Sequence, residues 1–188
     1  MGTVKSLLLG MCFVLGACTS QTSTVQTTEK GTQWEWQNGT IVVKTPERPA
    51  GQKSVLGLTT PKLEAVRVGF VGLGMRGPGA VERFTYIPGT QVVALCDYEE
   101  ARADKCQELL KKASMPKAAV YSGDKGYEEL CKRDDIDLVY IAADWLHHFP
   151  VAKCALENGK NVAIEVPWAM NLQECWDVIN FSESTRKH

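Results

Sequence analysis

The sequence predicts an α/β fold in which parallel strands form one doubly wound sheet. Three observations support this prediction. A short apolar run, 66–71, leads directly into a Gly-x-Gly-x-x-Gly motif. A second apolar run ends in an acidic residue, Asp97, about 20 residues after the motif. From residue 64 onward, apolar runs of strand length alternate with segments of helical periodicity, which is typical of right-handed strand–helix–strand units.

The three glycines of the motif have separate physical roles. Gly72 permits a tight turn, Gly74 lets the backbone approach a pyrophosphate, and Gly77 lets the following helix pack closely on the strand. The N-terminus of that helix offers unpaired N–H groups and a partial positive charge to phosphates. With a strand before it, a helix after it and Asp97 beyond, the motif predicts a dinucleotide-binding site.

Proline, glycine and apolar periodicity delimit the first half of the predicted sheet. Pro78 suits the first turn of a helix, where its missing N–H costs little, and Pro88-Gly89 ends that helix. The next helix carries one apolar face, formed by Ala103, Cys106, Leu109 and Leu110. The predicted elements are strands at 66–71, 91–96 and 119–121, with helices after Pro78 and at 99–112.

The second half continues the alternation. After a helix at about 127–132, the continuous apolar run 136–142 predicts a buried parallel strand. A helix is expected from about Pro150 to Asn158-Gly159, which is a good C-terminal stop, and the fifth strand covers 162–166. Asn171 is predicted to cap the last helix, with Glu174 three residues on as in a capping box.

Ligands of such sheets bind beyond the carboxyl ends of the strands. Asp97 is expected to accept hydrogen bonds from the adenosine ribose hydroxyls. Its charge would repel a 2′-phosphate, so the sequence predicts NAD rather than NADP. Arg76 could meet a 2′-phosphate, but beside Asp97 we interpret it as a contact to the pyrophosphate or the nicotinamide side. The other strand ends supply candidates at Tyr98, at 143–148 and at 165–167.

Two adjacent histidines follow the fourth strand. His147 and His148 point to different sides of a helix start, so only one is expected to contact the cofactor. A histidine that faces solvent at the helix start is equally compatible with the spacing. Because no cysteine or carboxylate stands at ligand spacing from them, the sequence predicts no metal site.

Composition narrows the classes of partner. The formal net charge is −1, with 21 basic and 22 acidic residues, so nothing favours a nucleic-acid partner. The 7 cysteines include no Cys-x-x-Cys pair. Their odd number argues against a disulfide framework, and the five beyond residue 90 are interpreted as small buried hydrophobes.

The N-terminus has the pattern of a secretory signal. Lys5 precedes the apolar run 7–15, which is too short for a stable membrane span. The run ends in Leu15-Gly16-Ala17-Cys18, which resembles the bacterial lipobox and implies cleavage before Cys18 and lipid on its thiol. A plain signal peptide with an incidental cysteine is the alternative. We therefore expect an exported protein, in the periplasm or at the cell surface, that meets the membrane only through a lipid anchor.

The whole chain divides into three predicted parts. Residues 1–17 form the predicted signal peptide, and residues 18–62 are interpreted as a flexible tether followed by an extended arm on the domain. Residues 63–188 form the predicted binding domain. A full doubly wound dinucleotide sheet has about six strands and this segment offers five, so we expect it to be truncated.

Four segments carry a resemblance to a known family. They are VRVGFVGLGMRGPGAVERFTYIPG, VVALCD, RDDIDLVYIAADW and ALENGKNVAIEVP. They resemble the Gfo/Idh/MocA (glucose–fructose oxidoreductase, inositol dehydrogenase, MocA) family and, within it, glycoside hydrolase family 109, over 41–188. The resemblance implies a Rossmann NAD-binding domain, with a C-terminal α/β domain missing from this chain. Carried over by motif, the NAD contacts are Met75, Arg76, Asp97, Trp145 to His148, Glu165 and Val166.

The same resemblance implies an unusual glycosidase, an NAD-dependent α-N-acetylgalactosaminidase. In that family NAD takes hydride from the sugar C3, the C2 proton becomes acidic, the glycosidic oxygen is eliminated, water adds, and the hydride returns. Sugar dehydrogenases of the broader family usually have Glu-Lys-Pro where this chain has Glu165-Val166-Pro167. Valine cannot carry a proton, which disfavours net alcohol oxidation. The catalytic groups are expected beyond His188, and this chain alone is expected to be inactive.

Two other functions remain open from the sequence. The chain could belong to an NAD-dependent sugar dehydrogenase, which would release NADH in proportion to product. It could also be a non-catalytic surface lipoprotein that binds a nucleotide or glycan without turnover. The glycan substrate, an N-acetylgalactosamine-containing one in the complete protein, is therefore an expectation from resemblance alone.

Overall fold

The computed structural model describes residues 26–27 and 33–188. The predicted signal peptide, the predicted lipidation site Cys18 and most of the predicted tether lie outside these residues. Among the helices that the structure describes, none is long and apolar enough to cross a membrane.

The described elements begin with three short strands and continue with alternating strands and helices. The strands are β1 Gln26–Thr27, β2 Gln33–Gln37, β3 Thr40–Val43, β4 Val66–Val71, β5 Thr90–Asp97, β6 Ala119–Ser122, β7 Leu138–Ile141 and β8 Asn161–Ile164. The helices are α1 Gly77–Phe84, α2 Glu100–Lys112, α3 Gly126–Cys131, α4 Trp145–Glu157 and α5 Leu172–Thr185.

Five strands form a parallel sheet in the order β6-β5-β4-β7-β8. The chain runs outward from β4 through β5 to β6, and then returns to the other side of β4 with β7 and β8. The strand order therefore reverses between β4 and β7, which leaves a crevice beyond their carboxyl ends. The predicted doubly wound parallel sheet is confirmed, with the five predicted strands in place.

Apolar residues fill both faces of this sheet. Phe70, Leu95 and Leu110 belong to a buried cluster that packs α1 and α2 on one face. Val139, Ile141 and Val151 belong to a second cluster that packs α3 and α4 on the other. Burying each such side chain contributes about 1.5–3 kcal/mol, so the two layers hold the strand ends, and the loops that follow them, in fixed positions.

The prediction for α4 was wrong at its N-terminus. The helix starts at Trp145 rather than at about Pro150, because the side chain of Asp144 accepts a hydrogen bond from the N–H of Leu146 at 3.0 Å and caps the helix there. Pro150 lies inside the helix. The earlier start places both histidines in the first turn, directly beyond β7.

The segment before the domain contains three short strands that the sequence analysis did not predict. Strand β1, within the predicted tether, and β2 and β3, within the predicted arm, form an antiparallel sheet. The turn between β2 and β3 is Asn38-Gly39, both with positive φ, a sequence typical of tight hairpins. The tether-and-arm interpretation overlooked this hairpin signal.

Residues 48–54 lie against the last helix. Arg48 forms an ion pair of 3.1 Å with Glu183, which is buried, and the Gln52 side chain donates hydrogen bonds to Asn180 and Glu183 at 2.9 and 2.8 Å. Asn171 caps the N-terminus of α5, and its side chain accepts a hydrogen bond from the N–H of Glu174, as predicted. The arm thus covers part of α5, which packs against α4.

Candidate functional site

A cavity of about 1080 Å³ opens at the carboxyl ends of the strands. Nine of the ten predicted cofactor-binding residues line it, namely Gly72, Gly74, Met75, Arg76, Asp97, Trp145, His148, Glu165 and Val166. The tenth, Gly77, lies behind the loop and packs α1 against it. Residues from four separate segments therefore meet where the strand order reverses.

The glycine loop is shaped by close backbone approaches. Gly72 has φ of 89°, and a Cβ there would overlap the backbone of Ala142 and Ala143 in the loop after β7. A Cβ at Gly77 would overlap the carbonyl oxygen of Gly72. Gly74 differs from both, because the nearest atom to a Cβ placed there is Nη1 of Arg102, 3.7 Å away. Gly72 and Gly77 serve the fold, and Gly74 leaves space that faces the cavity.

Helix α1 presents its N-terminus to this space. Arg76 occupies the N-cap position without a side-chain capping bond, and Pro78 stands in the first turn. Side chains therefore leave the first N–H groups of the helix available, and such groups bind phosphate oxygens readily. Met75 and Arg76 are exposed at the rim of the cavity.

Asp97 ends β5 and ties the glycine loop to it. Its Oδ2 accepts a hydrogen bond of 2.6 Å from the N–H of Leu73, and its Oδ1 accepts one of 3.0 Å from the N–H of Glu99. Arg102 also reaches Oδ1, at 3.3 Å. The carboxylate is only 5% exposed, and three donors fix its position. Oδ2, which accepts one hydrogen bond, still has a lone pair that can accept a ribose hydroxyl.

The first turn of α4 supplies two histidines with different surroundings. His147 Nδ1 lies 2.6 Å from Asp144 Oδ2, and the His147 side chain is half exposed at the rim of the cavity. Burial tends to raise the pKa of Asp144, but the hydrogen bonds from His147 and from the N–H of Leu146 outweigh it and lower that pKa. The pair thus completes the helix cap with an ionised carboxylate.

His148 is the histidine inside the site. It is 1% exposed, and its Nδ1 lies 2.6 Å from the carbonyl oxygen of Pro167. Because a carbonyl only accepts, Nδ1 must carry the proton. Its Nε2 is buried without a hydrogen-bond partner among the described residues. This orphaned nitrogen, in a side chain that lines the cavity, indicates a contact with a bound ligand.

Glu165 and Val166 follow β8, which ends two residues earlier than predicted, at Ile164. Glu165 Oε1 accepts a hydrogen bond of 2.8 Å from the hydroxyl of Tyr140 on the neighbouring strand β7. Val166 is 83% exposed at the cavity mouth. No lysine is among the residues that line the cavity in the described part of the chain.

Cys96 also lines the cavity but is not suited to nucleophilic chemistry. Burial, followed by the charge of Asp97, raises the pKa of its thiol to about 12. The described cysteines are all free, and Cys96, Cys106 and Cys131 are buried. Within the ranges that the structure describes, no three histidine, cysteine or acidic side chains come together as a metal site.

The residues fit a dinucleotide. Gly74 leaves room for a pyrophosphate beside the N-terminus of α1, Asp97 lies where an adenosine ribose is expected, and His148 offers an unpaired nitrogen deeper in the cavity. Fold and site together define the chain as a dinucleotide-binding domain of the Rossmann type.

Comparison with known proteins gives the family. Residues 66–188 match the Gfo/Idh/MocA family, described as an oxidoreductase family with an NAD-binding Rossmann fold. The chain belongs to this family, and NAD is its cofactor. It is 78% identical over 189 residues to glycosyl hydrolase family 109 protein 4 of Phocaeicola vulgatus, a match that covers 100% of this chain and 37% of that relative. This match confirms the predicted resemblance, and the chain spans little more than a third of that relative's length.

Solved structures share the fold. Myo-inositol dehydrogenase of Lactobacillus casei, in complex with NAD(H) and myo-inositol, is 25% identical with a TM-score of 0.56, covering 64% of this chain and 34% of that one. Biliverdin reductase of Synechocystis sp. PCC 6803, in complex with biliverdin and NADP+, is 26% identical with a TM-score of 0.55, covering 65% and 36%. Proteins of this fold thus hold either coenzyme.

Two residues of the site were not found from the sequence. Tyr140 lies in the middle of an apolar run, and only the pairing of β7 with β8 shows that its hydroxyl meets Glu165. Arg102 stands in the first turn of α2 and bonds both Asp97 and Glu99. Its spacing of three residues from Glu99 was a signal for an ion pair at the helix start.

Proposed function

We propose that this chain is the NAD-binding part of a glycosidase that hydrolyses α-N-acetylgalactosaminides by transient oxidation at the sugar C3, elimination and addition of water. The observation that carries the proposal is Val166, which lines the cavity at the position after Glu165. A residue without a titratable group there suits a reaction in which the hydride returns and no alcohol is oxidised overall. The high identity to a relative named glycosyl hydrolase family 109 protein 4 supports the same choice.

Bound NAD supplies a hydride acceptor that can return what it takes. The residues of this chain hold it in place. The N–H groups at the start of α1 bind phosphate oxygens. Gly74, which has no side chain, allows the phosphates to approach the loop. Asp97, held by Leu73 and Arg102, accepts hydrogen bonds from ribose hydroxyls.

His148 has a defined role in this arrangement. With its Nδ1 proton donated to the carbonyl of Pro167, the tautomer that carries no proton on Nε2 presents this nitrogen as a hydrogen-bond acceptor. His148 Nε2 therefore binds a hydroxyl or amide N–H of the cofactor or substrate. It disfavours a ligand group there that can only accept a hydrogen bond. Glu165, held by Tyr140, adds an anionic acceptor at the cavity wall.

The groups that move protons and most contacts to the sugar are proposed to lie beyond His188 in the longer protein. The decisive experiment therefore uses a longer protein that contains this segment, with p-nitrophenyl α-N-acetylgalactosaminide as substrate. We expect release of nitrophenol without net NADH, together with exchange of the C2 hydrogen with solvent and retention of a deuterium label at C3.

Other outcomes select the other candidates. NADH formed in proportion to an oxidised sugar would identify a dehydrogenase instead. Tight NAD binding without either reaction would identify a non-catalytic binding protein. Measurable hydrolysis by the 188-residue chain alone would contradict the proposal that the catalytic groups lie elsewhere.

We also propose that the protein is exported and carries lipid on Cys18, on the strength of the lipobox-like Leu15-Gly16-Ala17-Cys18. Metabolic labelling with a fatty-acid analogue tests this in a bacterial host. We expect label on the parent and on Cys12→Ser, since Cys12 lies in the part that is cleaved, and none on Cys18→Ser. Label that survives in Cys18→Ser would overturn the proposal.

A further inference from the structure

Arg102 occupies an unusual place in the site. Its Nη1 lies 3.3 Å from Asp97 Oδ1, and its Nη2 lies 2.9 Å from Glu99 Oε1. The same Nη1 is the atom nearest to a Cβ placed on Gly74. The guanidinium therefore lies across the glycine loop, at the end of the cavity where Asp97 is expected to meet the adenosine ribose.

This is also the place where the two dinucleotides differ. NADP carries a phosphate on the 2′ oxygen of that ribose, and an arginine nearby is the usual means of accommodating it. In this chain the nearby arginine already bonds two carboxylates with two different nitrogens. Its charge is compensated, and the trio Asp97, Glu99 and Arg102 carries a net charge of −1 that a 2′-phosphate would meet.

We infer that Arg102 is the residue that sets the coenzyme preference of this chain, and that Glu99 keeps it in the state that selects NAD. Paired with both carboxylates, Arg102 fixes Asp97 for the ribose hydroxyls. Released from them, the same guanidinium would bind a 2′-phosphate. The inference needs only dinucleotide binding, and it stands or falls independently of the proposed glycosidase activity.

Glu99 offers the cleanest way to test this. Its side chain is 57% exposed, and the contact that it makes in the site is the bond to Arg102. Glu100, its neighbour in sequence, is also exposed and carries the same charge without a bond to Arg102 in the described structure. Glu99→Gln and Glu100→Gln thus remove equal charge from nearly the same place, and only the first removes an ionic partner of Arg102.

The measurement is the dissociation constant of NAD and of NADP for the folded 188-residue chain, by isothermal titration calorimetry. For the parent we expect NADP to bind at least about tenfold more weakly than NAD. Glu99→Gln should narrow the preference for NAD over NADP about three- to tenfold, since the charge-assisted bond lost to Glu99 re-forms with phosphate. Glu100→Gln should change the ratio less than about twofold.

A double variant extends the test. Asp97→Ser with Glu99→Gln frees Arg102 fully and should make NADP the tighter ligand, and adding Arg102→Ala should abolish that gain. Thermal unfolding shows whether each variant folds. If the double variant does not fold, the single variants Glu99→Gln and Glu100→Gln test the inference. Equal effects of Glu99→Gln and Glu100→Gln, or a gain in NADP affinity that survives Arg102→Ala, would overturn the inference. Failure of the folded parent to bind NAD would overturn the dinucleotide assignment itself.

Discussion

The hydroxyl of Tyr140 donates a 2.8 Å hydrogen bond to Glu165 Oε1 across two neighbouring parallel strands. The tyrosine ring packs against Phe70 and Phe84, whose ring centroids lie 5.2 and 5.6 Å from its own. Burial, and then the bond to Glu165, raise the pKa of Tyr140, so the hydroxyl keeps its proton and remains a donor at neutral pH. An aromatic cluster on one face of the sheet thus orients a carboxylate that lines the cavity.

Replacing this hydroxyl tests its role. Tyr140→Phe keeps the ring packing and removes one hydrogen bond to a charged group, so NAD affinity should fall about three- to tenfold. The matched control is Tyr121→Phe, which loses a 3.3 Å bond from Arg133 at a position that does not line the cavity. Calorimetric titration should show the loss in the first variant alone. Equal NAD affinity for both would mean that Glu165 does not need this support.

The glycine loop separates folding from binding. Gly77→Ala places a Cβ on the carbonyl oxygen of Gly72, so we expect a loss of stability of about 3 kcal/mol or more. Gly74→Ala adds its methyl group to open space that faces the cavity, so the chain should fold and bind NAD at least about tenfold more weakly. Thermal melts and titrations distinguish the two effects.

Gly79→Ala provides the control for both variants. Gly79 lies in α1, and its added Cβ would be 3.5 Å from Arg83 Nη1, outside the cavity lining. The variant should keep its NAD affinity and its fold, because alanine is favoured over glycine inside a helix. Weak binding by Gly79→Ala comparable to that of Gly74→Ala would contradict the assignment of Gly74 to the phosphate site.

Acid should weaken the ion pair between Asp137 and Arg67, which do not line the cavity. Asp137 accepts hydrogen bonds from the backbone N–H, Nε and Nη2 of Arg67 at 2.9, 2.9 and 2.7 Å, and the side-chain bonds lower the pKa of Asp137. A lowered folded pKa means that the contribution to stability is full above the unfolded value of about 4 and is lost as the pH falls through the folded value.

Asp137→Asn should therefore lower Tm by several degrees at about pH 7 without changing NAD affinity, and the difference from the parent should shrink below about pH 4. Asp134→Asn, which alters an exposed side chain nearby, should leave Tm almost unchanged. Melting curves from about pH 3 to about pH 8 check both expectations. A difference that persists unchanged at the acid end would show that charge at Asp137 is not the cause.

Thiol reactivity tests the burial of the cysteines in the cavity wall and in the core. Burial raises the pKa of Cys96 to about 12 and that of Cys106 to about 11, with the charge of Asp97 as the second cause for both. At about pH 8 almost no thiolate exists at either, so iodoacetamide should label both peptides at least about a hundredfold more slowly than in urea. Half-buried Cys175 should react first among these three. Rapid labelling of Cys96 in the native chain would contradict its burial.

The sheet could be predicted from sequence because its signals are local. Strand β4 was predicted with its observed bounds, since an apolar run followed by Gly72 and Gly74 has few other solutions. Asn171 was recognised as a cap because its side chain bonds a residue only three positions away. Asp97 could be placed at a cavity because every parallel strand ends at the same edge.

The remaining features depend on contacts that spacing does not reveal. Tyr140 and Glu165 are 25 residues apart, and their hydrogen bond exists only because β7 pairs with β8 in one register. The start of α4 was misplaced because Pro150 resembles a first-turn proline, whereas Asp144 supplies a stronger cap several residues before the expected start. His148 acquires its orphaned nitrogen only when the loop after β8 brings Pro167 to its other side.

The most direct test is a calorimetric titration of the folded 188-residue chain with NAD, beside Gly74→Ala. We predict saturable binding of one NAD per parent chain and affinity at least about tenfold weaker in the variant. A folded parent that gives no saturable heat up to millimolar NAD, or a variant that binds as tightly as the parent, would contradict the assignment of this cavity to the cofactor.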